Sequence, residues 1–196
     1  MDAATTASTA SSIPRAPAAH PLVLKADEIF ERTSPNDGVG FINHCRRLFH
    51  FTASLMEHRG VDFDPALAYF IAMVHDLGIV SEQDQGKNYL RRSLALFHRE
   101  TAELSLPDAD PEVVEQCLVY NHRVLPVPGL SDAAECFRNA VMMEHSHGLL
   151  RFGLDKQQIK PVFAEYPRGN FDRVLLDFTW RTISREPLTL VRGIFL

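Results

Sequence analysis

Cysteine is scarce. Three occur in 196 residues, at Cys45, Cys117 and Cys136, widely spaced and with no Cys-x-x-Cys pair. That argues against a zinc ribbon or a disulfide framework and points to a reducing cytoplasm. Positive charge is not in excess either: 20 Lys and Arg face 25 Asp and Glu, a formal net charge of −5. There is thus no electrostatic case for nucleic acid or an anionic membrane as partner. No apolar run approaches the ~20 residues needed to span a bilayer, and neither strand-like alternation of useful length nor an internal repeat is present. What is present is a chain that is 45% hydrophobic, enough to bury a substantial core without covalent staples. The expectation is one compact all-α domain over residues 23–196. Residues 1–22 are a different material, dominated by Ala, Thr, Ser and Pro, and read as a disordered tail. That tail has no apolar core of a signal peptide, and Arg15 is the only basic residue before Lys25, so a processed targeting segment is the lesser reading.

Periodicity and punctuation predict helices joined by short loops. Ser34-Pro35-Asn36-Asp37-Gly38 reads as a turn. From Val39 to Glu57 the chain is amphipathic, with Phe41, Cys45, Leu48, Thr52, Leu55 and Met56 at helical spacing. Asp64 caps and Pro65 opens the next helix, which ends at His75-Asp76. A loop containing Gly78 and Gly86 leads to a helix from about Asn88 to Leu106. Pro107 to Asp110 breaks the pattern, and Pro111 opens a helix reaching about His122. Ser131, with Asp132 and Glu135 in the following turn, starts a helix that runs to Phe152. Segments 155–165 and 170–185 complete the set.

Against this frame a few polar residues stand out. His75-Asp76 closes the apolar run 68–74, where an imidazole and a carboxylate are costly to desolvate unless something compensates them. A divalent metal would compensate both; a backbone-bonded His beside a capping Asp is the plain alternative. His44 lies on the apolar stripe of its helix, three residues after Phe41. Two consecutive antiparallel helices would bring it to His75-Asp76, and the joint pattern favours a metal site. Glu144 lies on the stripe Phe137, Ala140, Val141, Gly148, and a buried acid needs a partner; an ion pair with Arg138 or Arg151 is the alternative. His145 and His147 share its turn.

His44, Val-His75-Asp76-Leu-Gly-Ile and a later liganding position together resemble the HD superfamily of metal-dependent hydrolases. The chain is most similar to the cyanamide hydratase-like branch, on Asn43-His44, His75 to Ile79, Arg92-Ser93-Leu94 to Phe97, Tyr166-Pro167-Arg168 with Phe171, and Glu186-Pro187-Leu188-Thr189. The resemblance covers about residues 36 to 190. It implies an all-α bundle holding one divalent ion, zinc first with iron, manganese or nickel as alternatives. His44, His75 and Asp76 are the implied ligands. Members usually end the ligand set with Asp, and none lies between Asp132 and Asp155. Glu144 takes that place in one register, and His145 in a register anchored on Gly148. Glu144 on the buried stripe is expected to face the ion. His98 stands where the branch tends to have an acid. His98 and His122 sit on middle helices that in some relatives contribute to catalysis or hold a second metal; the alternatives are a surface His98 and a helix-capping His122.

Such an ion lowers the pKa of its water towards ~7 and polarises the group under attack, and Asp76 could orient that water. A cyanamide- or nitrile-like substrate would yield urea or an amide. A phosphoester would need basic neutralisation, for which Lys87, Arg91, Arg92 and Arg47 are available. A degenerate, non-catalytic domain is the remaining alternative. The expected partner is a small-molecule substrate, with homo-oligomerisation left open.

Overall fold

The computed structural model describes residues 13–34, 38–81, 83–84, 87–107 and 111–188. The expected turn residues Pro35 to Asp37, Gly86, residues 108–110, Thr189 and most of the expected tail (1–12) lie outside them. Among the described residues the fold is all-α: α1 (Pro21–Thr33), α2 (Gly38–Arg59), α3 (Pro65–Val74), α4 (Leu77–Val80), α5 (Tyr89–Thr101), α6 (Pro111–Val119), α7 (Asp132–His145), α8 (Lys156–Glu165) and α9 (Phe171–Arg185).

The centre of the bundle is α2, packed against α3, α7, α8 and α9. Its neighbour α3 is apolar all round, and every residue from Ala66 to Val74 is buried, as befits a helix with no solvent face. The Asp64 carboxylate accepts from the Leu67 amide at 2.8 Å and Pro65 occupies the first turn, so α3 starts where the sequence places it.

Three expectations need correction. Helix α1 was not anticipated, and it begins at Pro21, inside the stretch assigned to the tail. It buries Leu22, Val23, Ala26, Ile29 and Phe30, and His20 Nδ1 accepts from the Leu22 amide. The helix expected to reach Phe152 stops at His145. His147 and Gly148 adopt φ of +55° and +74°, the Gly148 amide reaches the Met143 carbonyl at 2.8 Å and the His147 amide the Glu144 carbonyl at 3.1 Å. This is a Schellman ending, in which left-handed residues reverse the chain. Gly78, expected in a loop, lies in the short helix α4. A Cβ there would stand 2.0 Å from the Tyr89 carbonyl oxygen and 2.7 Å from the Ser93 amide nitrogen, so only glycine permits the approach of α4 to α5.

That approach also fixes the turn bearing His75 and Asp76. The Gly78 amide donates to Ser93 Oγ at 2.9 Å, and buried Arg92 donates through Nε to the Gly78 carbonyl and through Nη1 to Lys87 O and Glu186 Oε1. At the opposite end of the site, the 166–170 segment clasps α2. Asn43 donates to the Pro167 carbonyl, Arg47 Nη1 to the Tyr166 carbonyl, and the Gly40 amide to Asn170 Oδ1.

Candidate metal centre

His44 enters the site from the N-terminal third of α2, fully buried, with its ring stacked 4.1 Å from that of Phe171. His75 follows the last residue of α3, and Asp76 precedes the first of α4. The Nε2 atoms of His44 and His75 are 3.2 Å apart. Asp76 Oδ2 lies 3.1 Å from the latter and 3.9 Å from the former. Ligands about 2.0–2.2 Å from a common ion stand roughly 2.9–3.5 Å from one another, so the two shorter spacings match edges of a coordination shell.

The protons test whether a cation fits. His75 Nδ1 is 2.8 Å from the Ala72 carbonyl oxygen, which can only accept, so this nitrogen carries the proton and Nε2 is the other atom exposed to the cluster. His44 Nδ1 lies 3.0 Å from Glu144 Oε2, a close but bent contact in which neither atom has a well-aligned hydrogen bond. With both protons on the Nδ1 side, two imidazole lone pairs and a carboxylate converge on one buried point. That arrangement requires positive charge at its centre. Without an ion the charge falls to a proton: burial opposes it, but Asp76 and Cys45 hold the His75 pKa well above its ordinary value. Burial likewise pushes Asp76 upward, and His75 with His122 more than offset it, keeping the acid ionised. His44 is lowered by burial and stays neutral, Glu144 and Asp76 offsetting this only in part.

Glu144 meets His44 on the side away from His75 and Asp76. Its carboxylate lies at Nδ1 of His44, whereas His75 and Asp76 gather at Nε2. Its Oε1 accepts from Arg47 Nε at 2.9 Å, from Arg47 Nη2 and from Arg168 Nη1 at 2.7 Å. Burial alone would raise its pKa, yet His44, Arg47 and His145 hold it far below the carboxylate range. The expected register puts Glu144 on the buried face, and there the carboxylate meets the Nδ1 side of His44. His44, Glu144 and His145 do form a second group with donor atoms within 4.8 Å of one another, beside the His44, His75 and Asp76 group. An acid already answering two guanidiniums is the weaker ligand of the two groups.

His145, the last residue of α7, turns to the cavity that also reaches Asp76 and His122. Its ring stacks 5.6 Å from those of His44 and His122, and its buried Nε2 has no hydrogen-bond partner. Although part of the ring is open to the cavity, burial, His122 and His44 push its pKa down to about 3, so it is a neutral donor. His122 Nε2 sits 3.0 Å from Asp76 Oδ1. His98, by contrast, is exposed on α5 and is not among the residues that line the cavity. The Glu144 partners Arg138 and Arg151 are also set aside: Arg138 pairs with Glu135, and Arg151 is exposed. The sequence offered Arg47 for phosphate and Arg168 as part of a tail motif, but not as partners of Glu144. The signal for Arg47 was available, since it lies three residues after His44 on the buried stripe and a buried guanidinium needs an acid.

An all-α bundle that draws two imidazoles and a carboxylate onto one buried point is a candidate metal-site protein. The HD domain family matches residues 41–151, more than half of the chain, and the chain belongs to that family. The family is one of metal-dependent hydrolases, and the His, Asp and Glu groups described above can hold a divalent ion. No curated protein matches the chain.

Proposed function

We propose that the protein is a metal-dependent hydratase of a small uncharged molecule of the cyanamide or nitrile type, as in the cyanamide hydratase-like branch. The observation that carries this is the cavity at Asp76, His122 and His145, which no Lys or Arg lines among the described residues. The basic side chains offered for phosphate are tied elsewhere: Arg47 to Glu144, Arg92 to Glu186, Arg91 to Glu115 and Lys87 to Asp84. A phosphoester dianion would thus find no Lys or Arg on the cavity wall to share its charge with the ion.

His44, His75 and Asp76 would hold the ion, zinc in the first instance, with His145, whose Nε2 has no hydrogen-bond partner, a further candidate donor. When bound, it would supply a Lewis acid and a water activated near neutral pH. Hydration of a nitrile forms one C–O bond and carries two protons from water to nitrogen, giving an amide, or urea from cyanamide. Asp76 Oδ1 and His122 Nε2, 3.0 Å apart at the cavity wall, are the pair placed to accept the water's proton and deliver one to nitrogen. The Ala72 carbonyl holds His75 in register, and Glu144 lies 3.0 Å from His44 Nδ1 on the outer side. The three cysteines are free and buried, which supports a reducing compartment, the cytoplasm. No helix among the described residues is long and apolar enough to cross a membrane.

Elemental mass spectrometry of purified protein should find near one equivalent of metal, lost in His75→Ala and in Asp76→Ala. Metal-loaded protein should turn over cyanamide or nitriles and leave nucleoside monophosphates untouched. Absence of metal would favour the degenerate reading, and preferential phosphate release would reverse the substrate assignment.

A further inference from the structure

The cavity is far larger than a three-atom cyanamide. Its volume is about 480 Å³, room for roughly sixteen waters at ~30 Å³ each. Only one wall carries the reactive groups. The rest is built by Ile79 of α4, Val141 and Met142 of α7, Leu175 and Phe178 of α9, and Leu150. The polar atoms among them are uncharged hydroxyls of Tyr89, Ser146, Thr179 and Thr182. Val124 and Leu150, each 45% exposed, stand at its solvent side. Apolar walls filled by water gain nothing from binding a small polar head, whereas an apolar body that displaces the water gains with every group buried.

We infer that the substrate is a nitrile or substituted cyanamide carrying an apolar body of several carbons, seated between α7 and α9 with its reacting group at Asp76 and His122. This rests on the proposed hydration chemistry and adds the substrate class to it. A carboxylate or phosphate on the body is disfavoured because no Lys or Arg lines the walls among the described residues, and a hydroxyl or ether is tolerated near Thr179 and Thr182. Bare cyanamide fits as a poor substrate, since it leaves most of the cavity wet.

The test is a chain-length series. kcat/KM is measured on metal-loaded protein for straight-chain nitriles from ethanenitrile to octanenitrile, and calorimetry gives Kd for the matching primary amides. Each added methylene should improve both by about four-fold until the chain meets the far wall. Thr179→Phe, which fills part of the cavity from α9 without touching the ion's ligands, should move the optimum to shorter chains. Affinity that is flat or falls from the first member, in both measurements, overturns the inference even if cyanamide is turned over. A chain-length trend in amide Kd with no nitrile turned over supports the cavity assignment and defeats the hydratase reading instead.

Discussion

Glu144→Gln separates an acid that binds the ion from one that holds the ion's ligand in place. The substitution keeps the shape and removes the charge shared by Arg47, fully buried, and Arg168. Arg47 keeps its bond to the Tyr166 carbonyl, and Arg168 keeps Asp172, so the guanidiniums are not wholly stranded. Removing one partner of a buried pair costs about 3–5 kcal/mol. The retained partners argue for the lower end, about 3 kcal/mol, or a fall in Tm of roughly 6–12 °C for a chain of this size. Metal affinity should weaken as well, by about 10- to 100-fold, because His44 loses the acceptor at Nδ1. The decisive assay is thermal unfolding of chelator-stripped protein by circular dichroism, followed by a metal titration. Adding Arg47→Met to Glu144→Gln should recover part of the lost stability, since the unpaired charge goes with it. A stripped Glu144→Gln protein as stable as the parent, with metal binding abolished, would refute this reasoning and make Glu144 a ligand.

Other outcomes follow from particular contacts. His98→Ala should leave metal content and turnover unchanged, because His98 is exposed away from the cluster; loss of either would return it to the site. Gly78→Ala should destabilise by at least about 1–3 kcal/mol in urea unfolding, since its Cβ would meet the Tyr89 carbonyl; a neutral result would mean that α4 and α5 separate freely. Burial brings the His50 pKa down to about 4, so the folded state keeps this ring neutral where the unfolded chain, near 6.5, takes up a proton. Stability should therefore fall as pH drops from 6.5 to 4, by no more than about 3 kcal/mol from this residue. His50→Gln should flatten that slope in urea midpoints taken across the range, and an unchanged slope would assign the loss to other groups.

Much of the bundle was legible because burial imposes a period. α2 and α3 stood out from apolar spacing and the Asp64-Pro65 start, and the two helices carry His44 and His75-Asp76 to one point. The rest was hidden for identifiable reasons. α1 follows a Pro-rich stretch, and its start depends on His20 acting as a cap, an uncommon choice. The end of α7 was overrun because Leu149, Leu150 and Phe152 continue an apolar look past Gly148, while the reversal is a backbone event at His147 and Gly148. The direction of Glu144 was beyond reach, since no periodicity tells which nitrogen of a histidine a neighbour will meet. The partners that decide it, Arg47 and Arg168, lie 121 residues apart in the chain.

The clasp between α2 and the 166–170 segment has a consequence for how the molecule is made. Gly40 and Asn170 are 130 positions apart along the chain, yet His44, His75 and Asp76 all lie within the first 76 residues. About ninety residues separate the last of these from the segment that closes over them. At translation rates of roughly 5–20 residues per second, that is an interval of about 5–20 seconds. Throughout it His44, His75 and Asp76 have been synthesised while Arg168 and the Phe171 ring that stacks on His44 do not yet exist. Refolding of the finished chain offers no such ordered interval, because all partners are present at once. Metal uptake during synthesis and after denaturation would thus begin from different species, one without the closing segment and the other a complete chain.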